Sequence, residues 1–87
     1  MATLSGANIV AEFYRIHGLV KVLLFNYTDH FLQDIYLLVE DHEIAFGSID
    51  SLKATAKGIL LKDPPRHAKI RYQGAGLEKV ELDLKLL

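Results

Sequence analysis

Apolar and polar residues alternate in a strand-like pattern through the centre of the chain, between Arg15 and Ile44. One apolar segment ends at Gly18, a second runs from 19 to 25, and a third covers 37–39. A glycine inside a strand pattern indicates a turn, a bulge or a bend, so we expect Gly18 to separate the first two strands. The remaining strands are predicted to add to this central unit.

The strand before Gly18 is apolar on both of its faces. Ile9, Ala11 and Phe13 share one face, while Val10 and Tyr14 lie on the other. A strand of this kind is typical of the interior of a sheet or of a surface that faces a partner.

A short helix is predicted after the turn at residues 26–29. Thr28 or Asp29 could cap a helix from His30 to Tyr36. Its apolar stripe would have helical spacing. The members of that stripe are Phe31, Leu32, Ile35 and Tyr36.

Residues 51–61 fit either a strand or a helix, and we favour the strand because Thr55 and Gly58 weaken a helix. As a strand, the segment would turn Leu52, Ala54 and Ala56 inward and its lysines outward. Pro64 and Pro65 then break the pattern, since proline cannot join a central ladder.

The last twenty residues predict a hairpin with one apolar and one charged face. Its inward residues are Ala68, Ile70, Tyr72, Val80, Leu82, Leu84 and Leu86, and the turn is predicted at Gly74-Ala75-Gly76. Depending on register, Lys69 and Arg71 could pair across the hairpin with Glu81 and Asp83.

These patterns together predict an all-β or mainly β fold: a small barrel or two-layer sandwich of five to seven strands with one short helix. The length of 87 residues indicates one domain, assigned to residues 9–87 after a flexible lead-in at 1–8. A folded chain of this mass should expose roughly 5,000 Å².

The apolar fraction of 51% is high for so small a domain, whose surface is large relative to its volume. Burial of apolar surface between copies of the chain would account for it, so we expect a homo-oligomer. The longest run without a charge, residues 1–11, is too short and polar to span a membrane and does not have the pattern of a secretion signal. A cytoplasmic location is therefore expected.

Charge is distributed unevenly. Residues 1–50 contain two basic and seven acidic side chains, whereas residues 51–87 contain eight basic and four acidic ones. We expect strands of opposite charge to lie side by side. The densest basic segment is a candidate surface for a charged partner, including nucleic acid, and comprises Lys53, Lys57, Lys62, Arg66, His67, Lys69 and Arg71. A solvated strand face is the simpler interpretation of the same residues.

The sequence predicts no catalytic, cofactor or metal site. It has no cysteine, no phosphate-binding glycine loop and no nucleophile motif. Asp29-His30 and Asp41-His42 are the nearest approach to a metal set, but their spacing fits polar turns better.

Three short segments resemble the recurring pattern of a family of small bacterial β-domains of unknown function. They are Arg15-Ile16-His17-Gly18-Leu19-Val20, the turn Asp29–Gln33, and the apolar strand Leu37–Val39 with its acidic turn. The same stretch is faintly similar to the Sm-like barrel, without the RNA-binding signature of that family. The first resemblance implies a β-domain and no activity.

The function expected from the sequence is therefore that of a non-enzymatic, self-associating protein-interaction module. A nucleic-acid-binding β-barrel that uses the basic segment 53–71 is the alternative.

Overall fold

The computed structural model describes residues 1–74 and 76–87 and shows an all-β fold. The strands are β1 Ala2–Gly6, β2 Ile9–Ile16, β3 Leu19–Asn26, β4 Leu32–Val39, β5 His42–Ile49, β6 Lys53–Ile59, β7 His67–Gln73 and β8 Lys79–Leu86. All neighbouring pairs are antiparallel, in the order β5-β4-β7-β8-β1-β2-β3-β6. This single sheet curls into a nearly closed barrel with an exposed surface of 5336 Å².

The barrel is open between its two edge strands, β5 and β6. These strands are consecutive in sequence and joined by residues 50–52, yet in the described part of the chain no ladder connects them. We call this opening the seam.

The interior is filled by alternate residues from every strand. Phe13 is its largest fully buried side chain, and Leu4 and Leu84 close the core where β1 meets β8. Val20, Val22 and Leu24 of β3 are buried as their alternation predicts.

Two tight turns build the β1-β2-β3 meander. Ala7 and Asn8 have φ values of 49° and 63°, and His17 and Gly18 have values of 49° and 81°. Positive φ at both central residues is the pattern of a type I′ hairpin turn, whose twist matches that of the strands. The predicted break at Gly18 is therefore confirmed.

The predicted helix at His30–Tyr36 is wrong, because β4 occupies most of these residues. Asp34 has a φ of 50° at a shift of register between Leu32 and Ile35. The extra residue of such a bulge brings two residues three apart onto the same face, so both Leu32 and Ile35 are buried. That spacing imitates the stripe of a helix.

Three other expectations are corrected. The fold has eight strands, not five to seven, in part because residues 2–6 of the expected lead-in form β1 with a buried Leu4. Residues 53–59 do form a strand, but with opposite facing: Thr55 lies opposite the buried Leu24, whereas Ala54 and Ala56 project outward. A segment with small residues on both faces gives no hydrophobic signal for its orientation.

The terminal hairpin is confirmed. In its register Ala68 lies opposite Leu84 and Ile70 lies opposite Leu82. Part of the turn predicted at Gly74-Ala75-Gly76 lies outside the described residues, since Ala75 is not described. The described residues contain no helix that could cross a membrane.

Candidate functional site

The outer surface of β2, β3 and β6 carries a continuous group of apolar side chains. Val10 lies opposite Phe25 in one ladder, and Phe25 lies opposite Ala54 in the next. Residues opposite each other in an antiparallel sheet project from the same side, and the buried alternate residues of β2 show that this side is the outer one. We define the outer apolar face as Val10, Tyr14, Leu23, Phe25, Ala54 and Ala56.

Val10, Tyr14, Leu23 and Phe25 are half-buried, and more exposed apolar side chains lie at both ends of this face. Tyr27 stacks on Phe25 with ring centroids 5.6 Å apart and is 54% exposed. At the other end Ile16 and Leu19 lie opposite each other and are 45% and 41% exposed. The apolar surface thus extends over the whole length of the β2–β3 hairpin, which is the kind of patch that marks an interaction site.

Two opposite charges lie on the same surface. Glu12 lies opposite Leu23, and Lys21 lies opposite Tyr14. In the described residues neither charge belongs to an ion pair within the chain. Loss of hydration raises the pKa of Tyr14, and the neighbouring Glu12 carboxylate raises it further.

Lys57 reaches across the seam. It lies opposite the buried Val22, on the interior side of β6. Its ammonium group donates a hydrogen bond to the Ala45 carbonyl of β5 and lies 5.9 Å from the centre of the Phe46 ring. In a closed barrel, main-chain hydrogen bonds would join β5 to β6. Between Ala45 and Lys57 of the described chain, the lysine side chain makes the polar contact instead.

The structure separates the seven basic residues of the candidate charged surface into three places. Lys53 and Lys57 lie on the interior side of β6 beside the seam, and Lys62 and Arg66 lie in the 60–66 connection. His67, Lys69 and Arg71 project from the outer side of β7, and four strands lie between β7 and β6 in the sheet order.

The two outer cations of β7 have acidic partners. Lys69 Nζ lies 3.7 Å from Glu81 Oε1, and Arg71 donates to Glu43 Oε1 at 2.8 Å. The Arg71 guanidinium also lies 5.0 Å from the centre of the Tyr36 ring. Acidic and basic strands therefore lie side by side on this surface, and much of the charge cancels.

An open groove of about 570 Å³ adjoins this charged surface at one end of the barrel. Arg71, Tyr72 and Lys79 contribute to its walls. Burial raises the pKa of Tyr72, and the Glu78 carboxylate raises it further.

Asn26 organises the same end of the barrel, and sequence reasoning placed it only in a turn. Its side chain is buried and donates to the carbonyls of His30 at 2.8 Å and Ile49 at 3.0 Å. It accepts a hydrogen bond from the Thr28 main-chain N–H at 2.9 Å, and Ser51 Oγ donates to the Thr28 carbonyl at 2.6 Å. The sequence does contain a signal for this role: Asn26 ends an apolar strand at a position whose alternation with Val22 and Leu24 predicts an inward side chain.

The histidine–aspartate pairs do not come together. His30 Nδ1 lies 2.6 Å from Asp29 Oδ1 in an exposed loop before β4, whereas Asp41 and His42 follow the other end of that strand. An eight-residue strand spans about 26 Å. Throughout the described residues, no three metal-ligating side chains are close enough to hold an ion.

Comparison with protein-family models, with curated proteins and with solved structures finds no match for this chain. The resemblances of the central segment to small bacterial β-domains and to Sm-like barrels therefore remain predictions.

Proposed function

We propose that this protein is a non-enzymatic interaction module that associates with a second copy of itself through the outer apolar face. The main support for this proposal is the cross-strand row of Val10, Phe25 and Ala54. This row places apolar side chains on the solvent side of three adjacent strands. A barrel of this size fills its interior with the other face of those strands, so the outer row adds nothing to the core.

A stable dimer would need only a small part of the surface of the barrel. A standard protein interface covers about 800 Å² per partner, roughly a seventh of the 5336 Å² exposed here. The outer face spans three of the eight strands, together with the exposed ends at Tyr27, Ile16 and Leu19.

The charges on the face favour a second copy as the partner. A two-fold axis brings the same patch of both copies together, so that residue i of one copy meets residue j of the other and the reverse. Glu12 and Lys21 flank the centre of the face and have opposite signs. A symmetric contact can therefore pair each Glu12 with the Lys21 of the other copy, twice in one interface.

Nucleic-acid binding by the basic segment 53–71 is the alternative function. It has less support because Lys69 and Arg71 already have carboxylate partners, and because Lys53 and Lys57 lie on the interior side of β6 whereas the β7 cations project outward. Phosphate binding depends on several cations that are free to contact one backbone.

Sedimentation equilibrium over a wide range of protein concentration tests the proposal. We expect the unmodified chain to form dimers and Leu23→Glu to remain monomeric, since the new carboxylate would be buried in the interface. Leu38→Glu is the matched control, because Leu38 projects outward from β4, opposite Glu43 and Lys69. A monomeric unmodified chain at high micromolar concentration would refute the proposal, as would equal dimerisation of the Leu23→Glu variant.

A further inference from the structure

The seam is a second unpartnered feature, distinct from the outer apolar face. Strands β5 and β6 are the two edges of the sheet, so half of their main-chain N–H and C=O groups have no ladder partner. β6 is the more accessible edge, since Thr55 and Ile59 are its only residues that are not exposed. Its outer side carries only small residues, at Ala54, Ala56 and Gly58.

The charged side chains of β6 itself are both lysines. Lys53, Thr55 and Lys57 share the interior side of the strand, where the ladder places them opposite Asn26, Leu24 and Val22. Among the described residues no carboxylate lies within ion-pair distance of either lysine. The Lys57 ammonium is held only by a neutral carbonyl and an aromatic ring.

We propose that the free edge of β6 binds an extended acidic peptide by strand addition. Main-chain hydrogen bonds to the edge would supply affinity, as in other cases where a peptide extends a sheet. Carboxylates on alternate peptide residues would lie on the same side as Lys53 and Lys57 and form charge-assisted hydrogen bonds with them. The Lys57 ammonium exchanges its contact with the Ala45 carbonyl for one with a carboxylate.

The same lysines oppose pairing of β6 with the β6 of another copy. An antiparallel pair of identical strands would place Lys53 and Lys57 of one copy near those of the other, and like charges at such positions are destabilising. A lysine on an edge strand is a common protection against unwanted edge pairing. Charge complementarity therefore selects an acidic partner for this edge and excludes a second copy.

Fluorescence anisotropy with a labelled synthetic peptide tests this inference. The probe is an extended peptide of the length of β6 in which Glu and Thr alternate, and the comparison probe carries Lys in place of Glu. We expect saturable binding of the Glu peptide alone, and Lys57→Gln to weaken it about tenfold, the loss of one charge-assisted hydrogen bond.

Matched variants separate strand addition from general attraction between charges. Lys85→Gln removes the same charge from the outer side of β8 and should leave peptide affinity unchanged, and Lys57→Arg should retain most of it. A Glu–Thr peptide N-methylated at alternate residues, so that the main chain cannot donate to the edge, should not bind. Leu23→Glu, which abolishes the proposed dimer, should bind the peptide normally.

Four results would overturn the inference. They are absence of binding by the Glu peptide, equal binding of the N-methylated peptide, equal weakening by Lys85→Gln, and displacement of the peptide by single-stranded oligothymidylate. The last would assign the edge to nucleic acid instead. Thermal unfolding of each variant shows that the barrel is intact, so a loss of binding reports on the edge.

Discussion

The side-chain amide of Asn26 donates a hydrogen bond to the main-chain carbonyl of Ile49 at 3.0 Å and so joins the ends of β3 and β5. These two strands are not neighbours in the sheet, since β6 pairs with β3 and β5 lies at the opposite edge. The bond therefore crosses the seam at the end where residues 50–52 connect β5 to β6. The main-chain N–H of Leu52 donates to the Asn26 carbonyl at 2.8 Å and holds the same connection.

Replacement of Asn26 by Ala should destabilise the barrel by about 2–4 kcal/mol, because the buried bond to the Ile49 carbonyl and the part-buried bond to the His30 carbonyl are both lost. Urea unfolding measures this change. Hydrogen exchange should also show faster exchange at the start of β6, because the connection at 50–52 is no longer fixed.

Asn26→Asp is the matched variant. It keeps the acceptor for the Thr28 main-chain N–H and replaces the donor with an oxygen that faces two carbonyls. We expect it to be at least as destabilising as Ala at neutral pH. If both variants unfolded at the same urea concentration as the unmodified chain, the hydrogen bonds of Asn26 would not be what closes this end.

The packing of β1 against β8 requires a glycine at position 6. A Cβ atom on Gly6 would lie 2.5 Å from the main-chain oxygen of Asp83, a contact that the backbone can relieve only by moving. Gly6→Ala should therefore destabilise the fold by about 1–3 kcal/mol, as overpacking does. Gly58 is the control: a Cβ there meets nothing within 4 Å, and its φ is not positive. Gly58→Ala should be neutral or stabilise by up to about 1 kcal/mol in the same unfolding assay.

The local patterns of the sequence were sufficient for the strands that alternate cleanly. Ala68 and Ile70 lie opposite Leu84 and Leu82 in the hairpin as their periodicity predicts. The prediction for 51–61 is correct in its strand and wrong in its facing. In β4 the same periodicity gives the wrong prediction of a helix. The bulge at Asp34 inserts one residue, so the inward residues Leu32 and Ile35 are three positions apart instead of two.

The candidate surfaces depend on pairings that local patterns do not contain. The sequence indicated a second apolar face on β2 through Val10 and Tyr14. The face continues through Phe25 to Ala54 only because β6 pairs with β3. Strands β4 and β5 lie between these two strands in the sequence, so local patterns do not predict this pairing. The seam likewise exists because of the sheet order, so the role of Lys57 beside it could not be read from its neighbours in sequence.

Two tyrosines should give the barrel a stability that falls in alkaline solution. The pKa values of Tyr14 and Tyr72 are raised, so the folded state favours their protonated forms. This contribution is complete below the ordinary tyrosine pKa of about 10 and is lost as the pH rises through the folded-state values. Urea unfolding at increasing alkaline pH, with tyrosinate absorbance as the titration signal, measures it.

Glutamine variants measure how much each neighbouring carboxylate raises the pKa of its tyrosine. Glu12→Gln should lower the pKa of Tyr14 without restoring its ordinary value, because loss of hydration is the larger cause. Glu78→Gln should do the same for Tyr72 and leave Tyr14 unaffected. An unchanged tyrosinate titration in both variants would show that neither carboxylate acts on its tyrosine.

Charge reversal tests the symmetry of the proposed dimer. Glu12→Lys alone and Lys21→Glu alone each place like charges together twice in a two-fold interface, and both should weaken dimerisation by about tenfold or more. The double variant restores opposite charges with their positions exchanged and should recover most of the affinity, as a double-mutant cycle by sedimentation would show. If the double variant were as weak as the sum of the single changes, Glu12 and Lys21 would not meet across the interface. The apolar face would then have to dimerise in another orientation or bind a different partner.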